Sequence, residues 1–190
     1  MARIRTFIAV EVANHIQRRA VTLQQTLAQT GASVKWVEEE NLHLTLLFLG
    51  EIDERDVVDV CRAVQEQAKN HAPFEVGAQG LGCFPNLRRP KVVWVGFEEG
   101  QEELQRLHDD LEEALLQIGC YRREDRKYTP HLTLGRIKDN HAVDDLISEI
   151  NQRSGWKAGS CTIKEIVVFS SELSSKGPIY TPLSRTKLQS

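Results

Sequence analysis

The sequence predicts an α+β fold: a bilobal, pseudo-two-fold duplication with two mainly antiparallel sheets, flanked by helices, and a central cleft, within one domain over residues 1–190. Three observations predict it. The tetrapeptide His-Leu-Thr-Leu occurs twice, beginning at His43 and at His131. Shifting the first half by 88 residues, the difference between positions 131 and 43, lays its strand-like and helix-like stretches on stretches of the same kind. A content of 41% hydrophobic and 27% charged residues is that of a globular chain able to bury a core.

In chain order, Ile4 to Val12 is rich in β-branched and aromatic residues and reads as a strand. Asn14 is the expected N-cap of a helix with the apolar stripe Ile16, Ala20, Leu23 and Leu27, stopped by Gly31. Ser33 to Val37 and Leu42 to Leu49 are extended around an acidic turn at Glu38, Glu39 and Glu40. Asp53 is the expected cap of the next helix, striped by Val57, Cys61, Val64 and Ala68. A glycine-interrupted strand follows from Phe74 to Leu81, then a loop from Gly82 to Pro90 and a strand from Lys91 to Phe97.

Leu104, Leu107, Leu111 and Leu115 mark a helix ended by Gly119, and a charged loop leads to Pro130 and the second motif. Val143, Leu146, Ile147 and Ile150 mark the last helix, Thr162 to Ser170 a strand, and Ile179 to Leu183 a short final one. The repeat spans approximately residues 3–81 and 91–170, with the final strand at 179–183 outside it.

Each motif carries chemistry because strand side chains alternate. His43 and Thr45 share one face, with Leu42, Leu44, Leu46 and Phe48 expected on the core face; His131 and Thr133 likewise oppose Leu132 and Leu134. An imidazole and a hydroxyl about 6.5 to 7 Å apart along a strand both reach the oxygens of one phosphate-sized group. A single His-x-Thr is more often structural than catalytic. Two copies facing each other give a base beside the attacking oxygen, an acid beside the leaving one, and hydroxyls for the non-bridging oxygens. Histidine suits both roles, since its ordinary pKa lies near neutrality. No carboxylate cluster suited to magnesium accompanies the motifs. No metal or other cofactor is therefore expected, and a strained cyclic phosphate is the natural substrate.

The residues that carry these motifs resemble the two-histidine (2H) phosphoesterases, specifically the RNA 2′,3′-cyclic phosphodiesterase family, also called LigT-like or 2′-5′ RNA ligase-like. The resemblance covers nearly the whole chain and includes Arg5-Thr6-Phe7-Ile8-Ala9, both motifs, Gly82-Cys83-Phe84-Pro85, Tyr128-Thr129-Pro130, Gly135-Arg136 and Gly177-Pro178-Ile179-Tyr180. It implies hydrolysis of a terminal 2′,3′-cyclic phosphate to a 2′-phosphate without a metal. It also implies that His131 activates water as proton acceptor and that His43 is the proton donor to the leaving 3′ oxygen. The alternatives are ligation of a cyclic-phosphate end to a 5′-hydroxyl in a 2′-5′ linkage, and a non-catalytic module that grips nucleotide phosphates.

Substrate-binding candidates are Arg126 and Lys127, for a phosphate, and Phe84 and Tyr128, for stacking on a base. Trp36 and Trp94 read as packing. The net charge of −3 excludes a broad nucleic-acid-coating surface, so RNA ends or small cyclic-phosphate nucleotides are the expected partners, gripped locally. The four cysteines have no zinc-like spacing and read as reduced thiols. The apolar run Phe7 to Val10 is too short for a signal core, and no stretch is long enough to cross a membrane; a cytoplasmic monomer is expected.

Overall fold

A computed structural model describes residues 2–175 and 177–189. The chain runs β1 (Arg3–Val10), α1 (Asn14–Ala28), β2 (Val34–Trp36), a 3-10 turn over Glu39–Asn41, β3 (Leu44–Asp53), α2 (Asp56–Ala68) and β4 (Phe74–Phe84). It continues with β5 (Val92–Glu99), α3 (Gln101–Ile118), β6 (His131–Ile137), α4 (Val143–Gln152), β7 (Lys157–Ile163), β8 (Glu165–Ser174) and β9 (Gly177–Lys187).

The strands hydrogen-bond in the order β7-β4-β5-β6-β3-β1-β8-β9, with β2 added on β6, and the pairings are antiparallel. The two expected sheets meet edge to edge. One residue pair, Leu44 with Leu132, joins β3 to β6, so the junction falls at the two motifs. The ladder order is symmetric about this bridge, and the halves of the chain exchange parts across it. β4, from the first half, lies beside β5; β8, from the second, lies beside β1. The helices follow, with α1 against β6, β7 and α4, and α3 against α2 and β3.

Local sequence explains most boundaries. The stripe Leu104, Leu107, Leu111 and Leu115 is fully buried, and α3 stops where Gly119 takes the left-handed conformation (φ 81°) and returns its N–H to Leu115 and Leu116. Five expectations are corrected. The N-cap of α1 is Ala13 rather than Asn14, and that of α2 is Arg55; the Asp53 carboxylate instead accepts the Arg55 backbone N–H and its guanidinium, each at 3.0 Å. The stretch Thr162 to Ser170 is two strands broken at Lys164, because the chain there leaves β4 and crosses to β1. β4 runs through Gly82 to Phe84, so the loop starts only at Pro85. The Trp94 indole lies over Gly82, where an added Cβ would stand 2.2 Å from its Cζ2.

The fifth correction concerns β3. Its register against β1 slips twice, and Leu46 and Leu49 have no partner there: Ala9 pairs with Thr45, Ile8 with Leu47, Phe7 with Phe48 and Thr6 with Gly50. Such bulges break the alternation of faces. Leu46 and Leu47 are both buried, and Phe48, expected in the core, is 51% exposed on the cleft side.

Candidate active site

Leu44 and Leu132 are fully buried, so their neighbours in sequence turn to the opposite face. One step out from the Leu44–Leu132 pair sets His43 across from Thr133 and Thr45 across from His131. The imidazoles lie on the diagonal, about 7 Å apart at Cβ for such a position. All four side chains line one cleft of about 300 Å³.

The two histidines are held in the same way. His43 Nδ1–H donates to the carbonyl of Asn41 at 2.7 Å, and His131 Nδ1–H donates to the carbonyl of Thr129 at 2.7 Å. A carbonyl only accepts, so each bond fixes the proton on Nδ1 and leaves Nε2 to exchange protons. Asn41, the last residue of the 3-10 turn before β3, and Thr129, which precedes Pro130, supply these carbonyls two residues upstream. Thr45 Oγ1 lies 3.0 Å from His43 Nε2. The His43 ring stacks on Phe7 at 5.0 Å and meets the edge of Tyr180 at 5.3 Å; His131 packs edge-to-face with Phe84 at 4.8 Å.

Burial pulls the His43 pKa down to about 4, opposed by the Asn41 carbonyl and the Glu11 carboxylate and assisted by His131. Burial also lowers that of His131, opposed by the Thr129 carbonyl and assisted by the Arg136 cation. Burial thus favours the neutral form of both rings. Among charged neighbours the two differ: Glu11 favours a proton on His43, and Arg136 disfavours one on His131.

The cleft brings together His43, Thr45, His131 and Thr133, but not the four substrate-binding candidates. Arg126 and Lys127 are exposed in the loop before β6 and do not line it. Tyr128 is corrected: its ring stacks on His108 at 4.1 Å and its hydroxyl donates to the Thr45 carbonyl at 3.2 Å, which places it under the motif strand rather than in the cleft. Phe84 is a wall behind His131, packed also on Trp94. Among the described residues, the cleft cations are Arg5, Lys35 and Arg136. The alternation of Arg5 with Phe7 carried a signal for one of them; Lys35 reaches the cleft only because β2 lies on β6, opposite Arg136. Among the described residues, no group of three or more His, Cys, Asp or Glu side chains is arranged to hold a metal ion, and no helix is long and apolar enough to cross a membrane.

Two His-x-Thr strands meeting at the junction of an antiparallel sheet, with helices on its other face, define a two-histidine phosphoesterase. The sequence model of the 2′-5′ RNA ligase superfamily matches residues 9–174, and the chain belongs to that superfamily. A protein of Methanothermobacter thermautotrophicus named RNA 2′,3′-cyclic phosphodiesterase is 35% identical over 186 residues, covering 98% of this chain and 100% of the relative. One of the same name from Archaeoglobus fulgidus is 36% identical over 181 residues, 95% of this chain and 98% of the relative. Among solved structures, the Thermus thermophilus protein TT0787 superposes with a TM-score of 0.83 at 29% identity, covering 98% of each chain. Escherichia coli LigT, in a crystal structure with 3′-AMP, superposes with a TM-score of 0.76 at 23% identity over 100% of both chains.

Proposed function

We propose that the protein is an RNA 2′,3′-cyclic phosphodiesterase that opens the cyclic phosphate to a 2′-phosphate by two-histidine acid and base catalysis. The observation that carries this reading is the matched pair of imidazoles on one cleft, each with its Nδ1 proton tied to a carbonyl two residues upstream. The relatives' shared name supports the substrate class.

Water attacks phosphorus in line with the 3′ oxygen. His131 Nε2 takes the water proton as the new P–O bond forms; the P–O3′ bond breaks, and His43 Nε2–H protonates O3′. Proton exchange with solvent returns both rings to their starting states. Thr45, Thr133 and Arg136 bear on the non-bridging oxygens, where negative charge grows. The charged neighbours support the split of roles, with Glu11 favouring the acid and Arg136 the base. The proton on His43 arrives with the substrate anion, whose charge offsets the burial that favours the neutral ring.

We further take the enzyme to act as a cytoplasmic monomer without a metal. The test is to supply a 2′,3′-cyclic nucleotide in the presence of a chelator and identify the product. The expected result is turnover to the 2′-monophosphate. Absence of turnover with and without metals, or full turnover by His43→Ala, overturns the reading.

A further inference from the structure

His43 and His131 hang from carbonyls in the same way, but the two carbonyls are steadied by different means. Thr129 precedes Pro130, and a proline ring confines the residue before it to extended backbone, so the chain itself fixes that carbonyl. Asn41 ends a 3-10 turn and is followed by Leu42, which imposes no such restriction. Its N–H donates to the Glu38 carbonyl at 2.9 Å, and the Leu42 N–H donates to that of Glu39 at 3.1 Å. These bonds fix the Asn41 carbonyl within the turn, not the turn against the sheet. Glu38, Glu39 and Glu40 are exposed, so burial of the turn does not seat it.

Two ties do. Leu42 is buried, and its carbonyl accepts the Gln17 side-chain amide from α1 at 3.0 Å. On the cleft side, the Asn41 side-chain amide donates to the Pro178 carbonyl at 3.2 Å. Pro178 lies in β9, three places from β3 in the ladder order β3-β1-β8-β9. Across a flat sheet that separation is about 14 Å, so strand pairing does not bring the two together. The same stretch of β9 carries Tyr180, whose edge meets the His43 ring at 5.3 Å. The contacts close a circuit: from His43 Nδ1–H to the Asn41 carbonyl, from the Asn41 amide to the Pro178 carbonyl, and along β9 to the Tyr180 ring against His43. All four residues line the cleft.

We propose that the Asn41 side chain is a positioning residue for the proton donor: by tying the 3-10 turn to β9, it holds the carbonyl that keeps His43 Nδ1 protonated and Nε2 free to serve the leaving oxygen. The effect on rate rests on the phosphodiesterase reading; the effect on the ring rests on hydrogen-bond geometry. The bond made by one ring nitrogen sets the state of the other. Misplacing a reacting group by about 1 Å costs about 100-fold in rate.

The test compares the wild type with Asn41→Ala, which removes the donor, and Asn41→Asp, which keeps the shape but sets an acceptor against an acceptor. The first readout is nitrogen NMR of the imidazoles at pH 8, above the ordinary histidine pKa, where each neutral ring reveals which nitrogen carries its proton. In the wild type both are expected to carry it on Nδ1. Both variants are expected to leave His131 unchanged and to bring His43 to a mixture of tautomers. The second readout is steady-state kinetics on a 2′,3′-cyclic nucleotide, where kcat is expected to fall about 10- to 100-fold in both variants and KM to change less than about threefold.

A His43 tautomer unchanged in Asn41→Ala, or changed without a fall in kcat, overturns the positioning role while leaving hydrolysis standing. An equal change at His43 and His131 marks a general loosening of the fold and likewise overturns it. No turnover by the wild type overturns the hydrolytic reading, and the effect on rate with it, whatever the tautomers show.

Discussion

His43 and His131 differ less in geometry than in surroundings. Each Nδ1 is anchored 2.7 Å from a carbonyl, but His43 is wrapped by Phe7 and Tyr180, and its pKa falls to about 4. Replacing either ring with alanine is expected to lower kcat by about 10²- to 10⁴-fold, the usual contribution of a positioned acid or base, measured on a cyclic nucleotide. Binding of inorganic phosphate is expected to raise the His43 pKa above its value in the empty cleft, because an anion beside the ring favours the cation. An NMR titration of the imidazole with and without phosphate measures this, and an unchanged midpoint counts against His43 as the proton donor. The four motif residues were legible in the chain because His-x-Thr is a period-two pattern written twice. Tyr128 was not: a tyrosine beside a motif looks the same whether its hydroxyl faces RNA or, as here, the Thr45 carbonyl.

β2 is three residues long, yet it delivers Lys35 to the cleft. It lies on β6 where Gly135 has no side chain; a Cβ there would stand 2.6 Å from Val34 Cγ1, 2.8 Å from Trp36 Cε3 and 3.1 Å from the Lys35 carbonyl oxygen. Gly135→Ala is expected to push β2 outward, to destabilise the fold by about 1–3 kcal/mol as other overpacked sites do, and to raise KM more than it lowers kcat. Thermal melting and steady-state kinetics check the two parts. Elements with a sustained period were readable in advance, as the buried leucine stripe of α3 illustrates. The bulges of β3 were not, because a bulge is a mismatch between two strands and leaves no mark on one of them. The Lys164 break was hidden for the same reason: the residues on either side are all compatible with strand, and only their different partners divide them.

Across the whole molecule, the helices and sheet form one protein-wide core, while Phe7, Ala9, Val167 and Phe169 form a smaller cluster on the cleft face under His43. Keeping an imidazole neutral in that setting ties stability to pH. The unfolded chain binds a proton at position 43 near pH 6.5, but the folded protein does so only near about 4. Between those values the unfolded state holds more protons, so stability is expected to fall as the pH drops through that window and to level off below it. Urea denaturation from pH 7.5 to 4 measures the slope, and His43→Gln is expected to make it shallower; an equal slope in the two proteins counts against a buried neutral ring.

Within the chain alone, the paired motif, the helix stripes and the offset of 88 residues specified an α+β fold with two histidines sharing a site. Periodicity reports which side of an element is apolar, and the repetition reports that two such sides correspond. Which strands lie beside one another was decided in three dimensions. The exchange of β4 and β8 between halves, the Leu44–Leu132 bridge, the turn of Phe48 into the cleft and the arrival of Lys35 beside Arg136 all depend on register between segments far apart in sequence. Pairing is a property of two strands at once, and neither carries it by itself.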